Sequence, residues 1–257
     1  MNQKFWALYK KELNIFFALP IAYAVICVYM VLSGYFFNAI LSYYSQMSMR
    51  SMQSYYKGAE ISMVDGIFRP YFQNMAVVLL LMVPIITMRV FAEEKREGTS
   101  ELLFTYPVSD MQIVLAKFLS ALSILCMMIA GGAISFIILR FTGDFEVLPL
   151  LCGILGLVLI GGAFIMIGIF ISTLTESQIV AAVISFGLLL LFWIISWQAG
   201  ALGPVGQKIL TNLSIIEHLG SFSKGLIDTS DLIYYLNFMA LFLFLSLRVL
   251  ESKQWRG

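Results

Sequence analysis

The chain has 257 residues, 60% of them apolar and 12% charged, with a formal net charge of +1. Its mean hydropathy is +0.91. A soluble globule of this size would carry about twice that share of charge, so membrane spans and short connections account for the length. The near-zero net charge removes the electrostatic basis for binding nucleic acid. Cys27, Cys126 and Cys152 all fall in apolar runs without metal-type spacing.

The first fourteen residues mix Phe5, Trp6, Leu8, Tyr9 and Leu13 with Lys4, Lys10, Lys11 and Glu12. That pattern suits an interfacial helix lying on the inner membrane surface; a short basic anchor with an aromatic belt fits equally well. The apolar run from Ile15 to Leu41 exceeds the ~7–15 residues of a signal-peptide core, so it reads as an uncleaved first span. Ser42 to Arg69 follows as a polar, methionine-rich outer loop whose methionine spacing fits no metal site.

Five further apolar runs approach the roughly 20 residues of a span: Tyr71–Met88, Phe118–Leu139, Leu150–Ser172, Ile179–Trp197 and Leu232–Val249. Pro70 and Pro149 stand where the second and fourth helices begin, a position that needs no N–H. Pro84 lies inside the second run, where a kink is expected. The last run is the shortest, and the stem of Arg248 can snorkel at its end. Between the fifth and sixth runs, Val205 to Leu213 and Ile215 to Leu226 read as short outer helices, with Gly220 and Gly225 as breaks. The single histidine, His218, is assigned no role.

All six spans are expected to be helices, because lipid offers no partner for an unpaired backbone group. The alternating polarity of a membrane β-barrel is absent. The expected fold is therefore an all-α integral membrane protein forming one domain over residues 1–257. With the N-terminus inside, ten lysines and arginines face the cytoplasm against six outside, which places both termini in the cytoplasm.

No Gly-x-x-x-x-Gly-Lys, His-Glu-x-x-His or Gly-x-Ser-x-Gly motif occurs. The sequence thus offers no catalytic, metal-binding or cofactor-binding set. The span interiors also lack Asp, Glu, Lys, Arg and His, groups on which ion-coupled transporters rely. A channel built on backbone carbonyls stays open on this reading. Energy for transport would enter from a cytoplasmic surface.

The densest charge lies between the second and third spans, in Phe91-Ala-Glu-Glu-Lys-Arg-Glu-Gly-Thr-Ser-Glu101. Glu93, Glu97 and Glu101 are four apart and would form one carboxylate stripe on a continuous helix, which Gly98 is placed to interrupt. Ser109-Asp-Met-Gln112 is a capping-box pattern opening the third span's helix. The segment reads either as a docking surface or as a solvated charged loop.

This segment, continued by Leu-Leu, Pro107-Val-Ser-Asp and Gln112-Ile-Val-Leu-Ala-Lys117, resembles the cytoplasmic loop of ABC export permeases of the second type. Lys10-Lys-Glu-Leu-Asn, Ser172-Thr-Leu-Thr-Glu-Ser-Gln-Ile-Val180, Glu217 to Asp228 and the tail Leu250 to Arg256 are similar to the gliding-motility branch of that family. The resemblance implies a bacterial inner-membrane permease pairing with a second permease copy or homologue. A separate ABC-type ATPase subunit would carry ATP and Mg, and a periplasmic or auxiliary membrane subunit could join. It implies ATPase docking through Glu93, Glu94, Lys95, Gly98, Thr99, Glu101 and Pro107, with Thr175 and Glu176 in a second cytoplasmic turn. The other reading is a membrane anchor or assembly subunit acting with the ATPase on periplasmic partners without transport.

Overall fold

A helix of 17 residues, α1 (Asn2–Ala18), precedes the first long helix, α2 (Pro20–Gln53). The computed structural model describes residues 2–53, 62–98, 109–142, 145–195, 197 and 203–254. The chain breaks between α1 and α2 at Leu19, just before Pro20, whose ring and missing N–H favour a new helix start. Ile15 to Ala18 therefore belong to α1, and the first span opens at Pro20 instead of Ile15.

The α2 helix runs on through Ser42–Gln53, where a loop is expected from composition. The serines, glutamines and methionines there carry no helix breaker, and Met and Gln are good helix formers. A π-helical turn (Val64–Phe68) leads into α3 (Arg69–Thr87), with Pro70 in its first turn and Pro84 inside it. The short α4 (Ala92–Arg96) follows. Then come α5 (Asp110–Thr142), α6 (Val147–Leu174), α7 (Gln178–Ile194), α8 (Pro204–Leu213), α9 (Leu219–Ser223) and α10 (Thr229–Gln254). Among the described residues every regular element is helical.

Among the described residues, five helices are long and apolar enough to cross a membrane, and α7 is a shorter apolar helix of 17 residues. At 1.5 Å per residue α7 reaches ~26 Å, near the lower limit for a span. The 33 residues of α5 reach ~50 Å, well beyond a hydrocarbon core of about 30 Å.

The core sits on α6 and α3, whose most apolar windows are 72% and 67% buried, against 22% for both α2 and α10. Close approach of these two central helices depends on Gly168: a Cβ there would lie 2.0 Å from Thr87 Oγ1. Lipid tails are as apolar as leucine, so helices in a bilayer associate through such close packing. Gly153 does the same about four turns earlier on α6, where a Cβ would meet the ring of Phe72 at 1.9 Å.

At the end of the bundle opposite α4, the two short helices α8 and α9 pack before α10. Gly220 lies inside α9 and breaks nothing, whereas Gly225 ends the segment with φ +82°. His218 has a structural place that the sequence does not disclose. Its Nδ1 lies 2.7 Å from Asp231 Oδ1 and its Nε2 3.1 Å from the Asn212 carbonyl, and its ring stacks on Tyr234 with centroids 3.8 Å apart.

Candidate functional site: a charged helix joined to a neighbouring turn

The α3 helix ends at Thr87, one turn after Pro84, and the chain turns through residues 88–91 into α4. A helix start leaves its first N–H groups without intrahelical partners. The N-cap of α4, Phe91, supplies no side-chain bond. Ser172 on α6 supplies it from 80 residues away: its Oγ accepts from the backbone N–H of Phe91 and of Ala92, both at 3.0 Å. The same hydroxyl donates to the Met88 carbonyl at 3.3 Å. Ser172 is fully buried, so this cap arrives across a tertiary contact.

Two residues on, α6 ends and the chain turns through Thr175–Ser177 into α7. Ser177 caps α7 by accepting from Val180 N–H at 3.5 Å, and Thr175 Oγ1 accepts from Ser177 N–H at 3.2 Å. The Lys95 ammonium donates to the Thr173 carbonyl in the last turn of α6, where a cation also suits the helix's negative end. The charged helix and the second turn thus form one surface, held by Ser172 and Lys95.

Behind this surface lies a buried ion cluster. Lys117 Nζ is 2.8 Å from Glu94 Oε1, 3.1 Å from Glu12 Oε2 and 2.8 Å from the Val90 carbonyl. Three donors meet three acceptors, which is the full capacity of an ammonium group. The ring of Phe91 lies beneath it, 4.9 Å away. Lys117 is 1% exposed and Glu12 5% exposed. The cluster ties α1, α4 and α5 together at one point. Burying such charges is costly unless each is paired, and removing one partner strands the rest.

The expected site residues fall into three groups. Glu94 and Lys95 are engaged inside the chain, as above. Glu93 and Thr175 are half-buried, while Glu176 and Gly98 are exposed. Gly98, with φ +69°, ends α4 two residues after Arg96 and interrupts the carboxylate stripe after Glu97. Thr99, Glu101 and Pro107 lie outside the described residues. The α5 helix opens at Asp110, and the Ser109 carbonyl accepts from the N–H of Gln112 at 2.8 Å and Ile113 at 3.2 Å.

Sequence reasoning missed the joining of Glu12, Lys117 and Ser172 at this site; it named Glu97 in the carboxylate stripe but put neither Glu97 nor Arg96, the exposed charges of α4, among the docking residues. Two signals were present: Glu12 is the only acid in an otherwise basic N-terminal stretch, and Lys117 directly precedes the third apolar run. Beside the cluster, a cavity of about 460 Å³ opens between α1, the end of α3 and α4.

These features define a polytopic helical membrane protein with a charged, extramembranous surface at one end of its bundle. Residues 6–256 match the family model described as ABC-2 family transporter protein, and the chain belongs to that family. It is accordingly the membrane permease part of an ABC transporter and not itself the ATPase, and such permeases generally work with an ABC ATPase subunit. No curated protein matches the chain.

Proposed function

We propose that this chain is an export permease of the bacterial inner membrane, driven by an ATPase subunit that docks on α4 and on the Thr175–Ser177 turn. The observation that carries this reading is the union of those two segments through Ser172 and Lys95. The segment holding α4 already connects α3 and α5 along the chain, and its union with the second turn adds α6. Here a push on α4 reaches α3 directly, α6 through Ser172, and α5 through Glu94 and Lys117. Exposed Arg96, Glu97, Gly98 and Glu176 face outward for the contact. The ATPase carries ATP and Mg, both permease termini lie in the cytoplasm, and two permease copies form the pore. The segments Glu217 to Asp228 and Leu250 to Arg256 support placement in the gliding-motility branch of the family.

The test is site-specific cross-linking. A cysteine at Glu176, in a chain lacking Cys27, Cys126 and Cys152, is expected to cross-link to an ABC-type ATPase that co-purifies with the chain in mild detergent. Addition of ATP should change the yield. Absence of any co-purifying ATPase, or cross-links that ignore nucleotide, would count against the reading.

A further inference from the structure

We infer that the cavity beside the ion cluster is a binding site for the head group of one phospholipid bearing both a phosphate and a primary ammonium, that is, a phosphatidylethanolamine. At about 460 Å³ it falls within the range of small-ligand sites, roughly 300–1,000 Å³. Its size suits a head group and the start of a chain, leaving the remainder of the lipid in the bilayer.

The walls differ in kind. Ile15 and Phe16 from α1, Leu19 at the break, Ile21 from α2 and Ile85 from α3 make one side apolar. Ile15 and Ile85 are well exposed, so this side is open to acyl chains. The other side is charged: Lys11, Arg89 and Lys117 face Glu12, Glu93, Glu94 and Glu97.

The charges of that side do not cancel. Lys117 is saturated by Glu94, Glu12 and the Val90 carbonyl, and Lys11 stands 3.7 Å from the other oxygen of Glu12. That group of four is neutral in sum. What is left is Arg89 with Glu93 and Glu97, an excess of one carboxylate. Arg89 Nε is buried without a hydrogen-bond partner. A buried N–H in that state is unfavourable, and a phosphate oxygen is the acceptor that a guanidinium matches best.

A singly anionic head group would satisfy Arg89 but would bring its net charge against the carboxylate excess. A head group that follows its phosphate with an ammonium satisfies both, because Glu93 and Glu97 then accept from the ammonium. A quaternary ammonium has no N–H to donate. The primary ammonium is therefore the better fit, and the apolar wall asks for its acyl chain. Soluble phosphoethanolamine, which shares the head group, would leave that wall bare.

The test uses the full chain, purified in mild detergent and offered an equimolar mixture of phosphatidylethanolamine, phosphatidylcholine and phosphatidylglycerol with identical acyl chains. Retained lipid is read by native mass spectrometry. Phosphatidylethanolamine should be retained at least tenfold over the other two, and soluble phosphoethanolamine should not compete. Arg89→Gln should abolish the retention. Glu93→Gln with Glu97→Gln alters only carboxylates at the mouth and should leave the fold intact. It should turn the preference toward phosphatidylglycerol, which keeps the proposal testable even if Arg89→Gln fails to fold. Equal retention of the three lipids, or an unchanged preference in the double variant, would overturn the inference. So would retention of detergent alone.

Discussion

The Lys117 ammonium lies 2.8 Å from the Glu94 carboxylate, and the pair joins the first turns of a long apolar helix to the short charged helix ahead of it. Glu12 closes the triad at 3.1 Å. Lys117→Met would leave the Glu12 and Glu94 carboxylates facing each other with only the half-exposed Lys11, 3.7 Å from Glu12, as a counter-charge. Loss of one partner from a buried ion pair costs about 3–5 kcal/mol, so a clear drop in thermal stability in detergent is expected. Adding Glu12→Gln and Glu94→Gln to Lys117→Met should restore most of it. Equal melting of the single variant and the parent would show that the triad contributes nothing to the fold.

Long apolar runs and proline positions made most of the helices legible in advance, since each is a local signal. Pro70 and Pro149 start helices as their missing N–H allows, and Gly98 ends α4 through its positive φ. The extension of α2 through Ser42–Gln53 was not legible, because polarity separates lipid from water and does not separate loop from helix. The Lys117 triad was not legible either, since a pair 105 residues apart in sequence leaves no periodic trace. His218 with Asp231 escaped for the same reason at shorter range, across two helix breaks.

Ser172 holds α4 in place through two backbone N–H groups. Ser172→Ala keeps the packing volume close to native but leaves both donors without that acceptor. A buried unsatisfied donor costs about 1–3 kcal/mol. The expected result is faster hydrogen exchange at Phe91 and Ala92, with the α6 amides unchanged. Exchange at native rates would mean that the α4 start is held by other contacts.

Two glycines should respond differently to alanine. Gly168→Ala places a Cβ against Thr87 at 2.0 Å, between the two most buried helices. Overpacking of that kind costs typically 1–3 kcal/mol or more. Gly98→Ala meets open space, and only its φ of +69° opposes the change, a penalty of about 1–2 kcal/mol confined to the end of α4. Thermal unfolding should therefore fall markedly for the first and little for the second.

Sidedness is open to direct chemical test. In a background without Cys27, Cys126 and Cys152, a cysteine replacing Thr229 should react with an impermeant thiol reagent from outside intact cells. One replacing Ser252 should react only after the membrane is permeabilised. Both positions are exposed in the fold, so failure to react cannot be laid to burial. The reverse pattern would invert the orientation derived from lysine and arginine counts.

Residues that hold the proposed docking surface are separable from residues that present it. Glu94 is bonded to Lys117, which is 1% exposed, and Glu94→Lys would set a second ammonium group against that buried one. That variant should lower thermal stability of the chain by itself, with or without an ATPase. Arg96 and Glu176 are exposed on the joined surface. Arg96→Glu and Glu176→Lys should leave the chain's melting unchanged and weaken the ATPase complex. Where such a charge is desolvated against a partner, its loss costs ~2–5 kcal/mol, more than tenfold in affinity. Co-purification of the ATPase and ATP turnover of the reconstituted complex are the readouts. If both exposed-charge variants retain docking and turnover at parental levels, the surface is a solvated connection, and the ATPase must enter elsewhere.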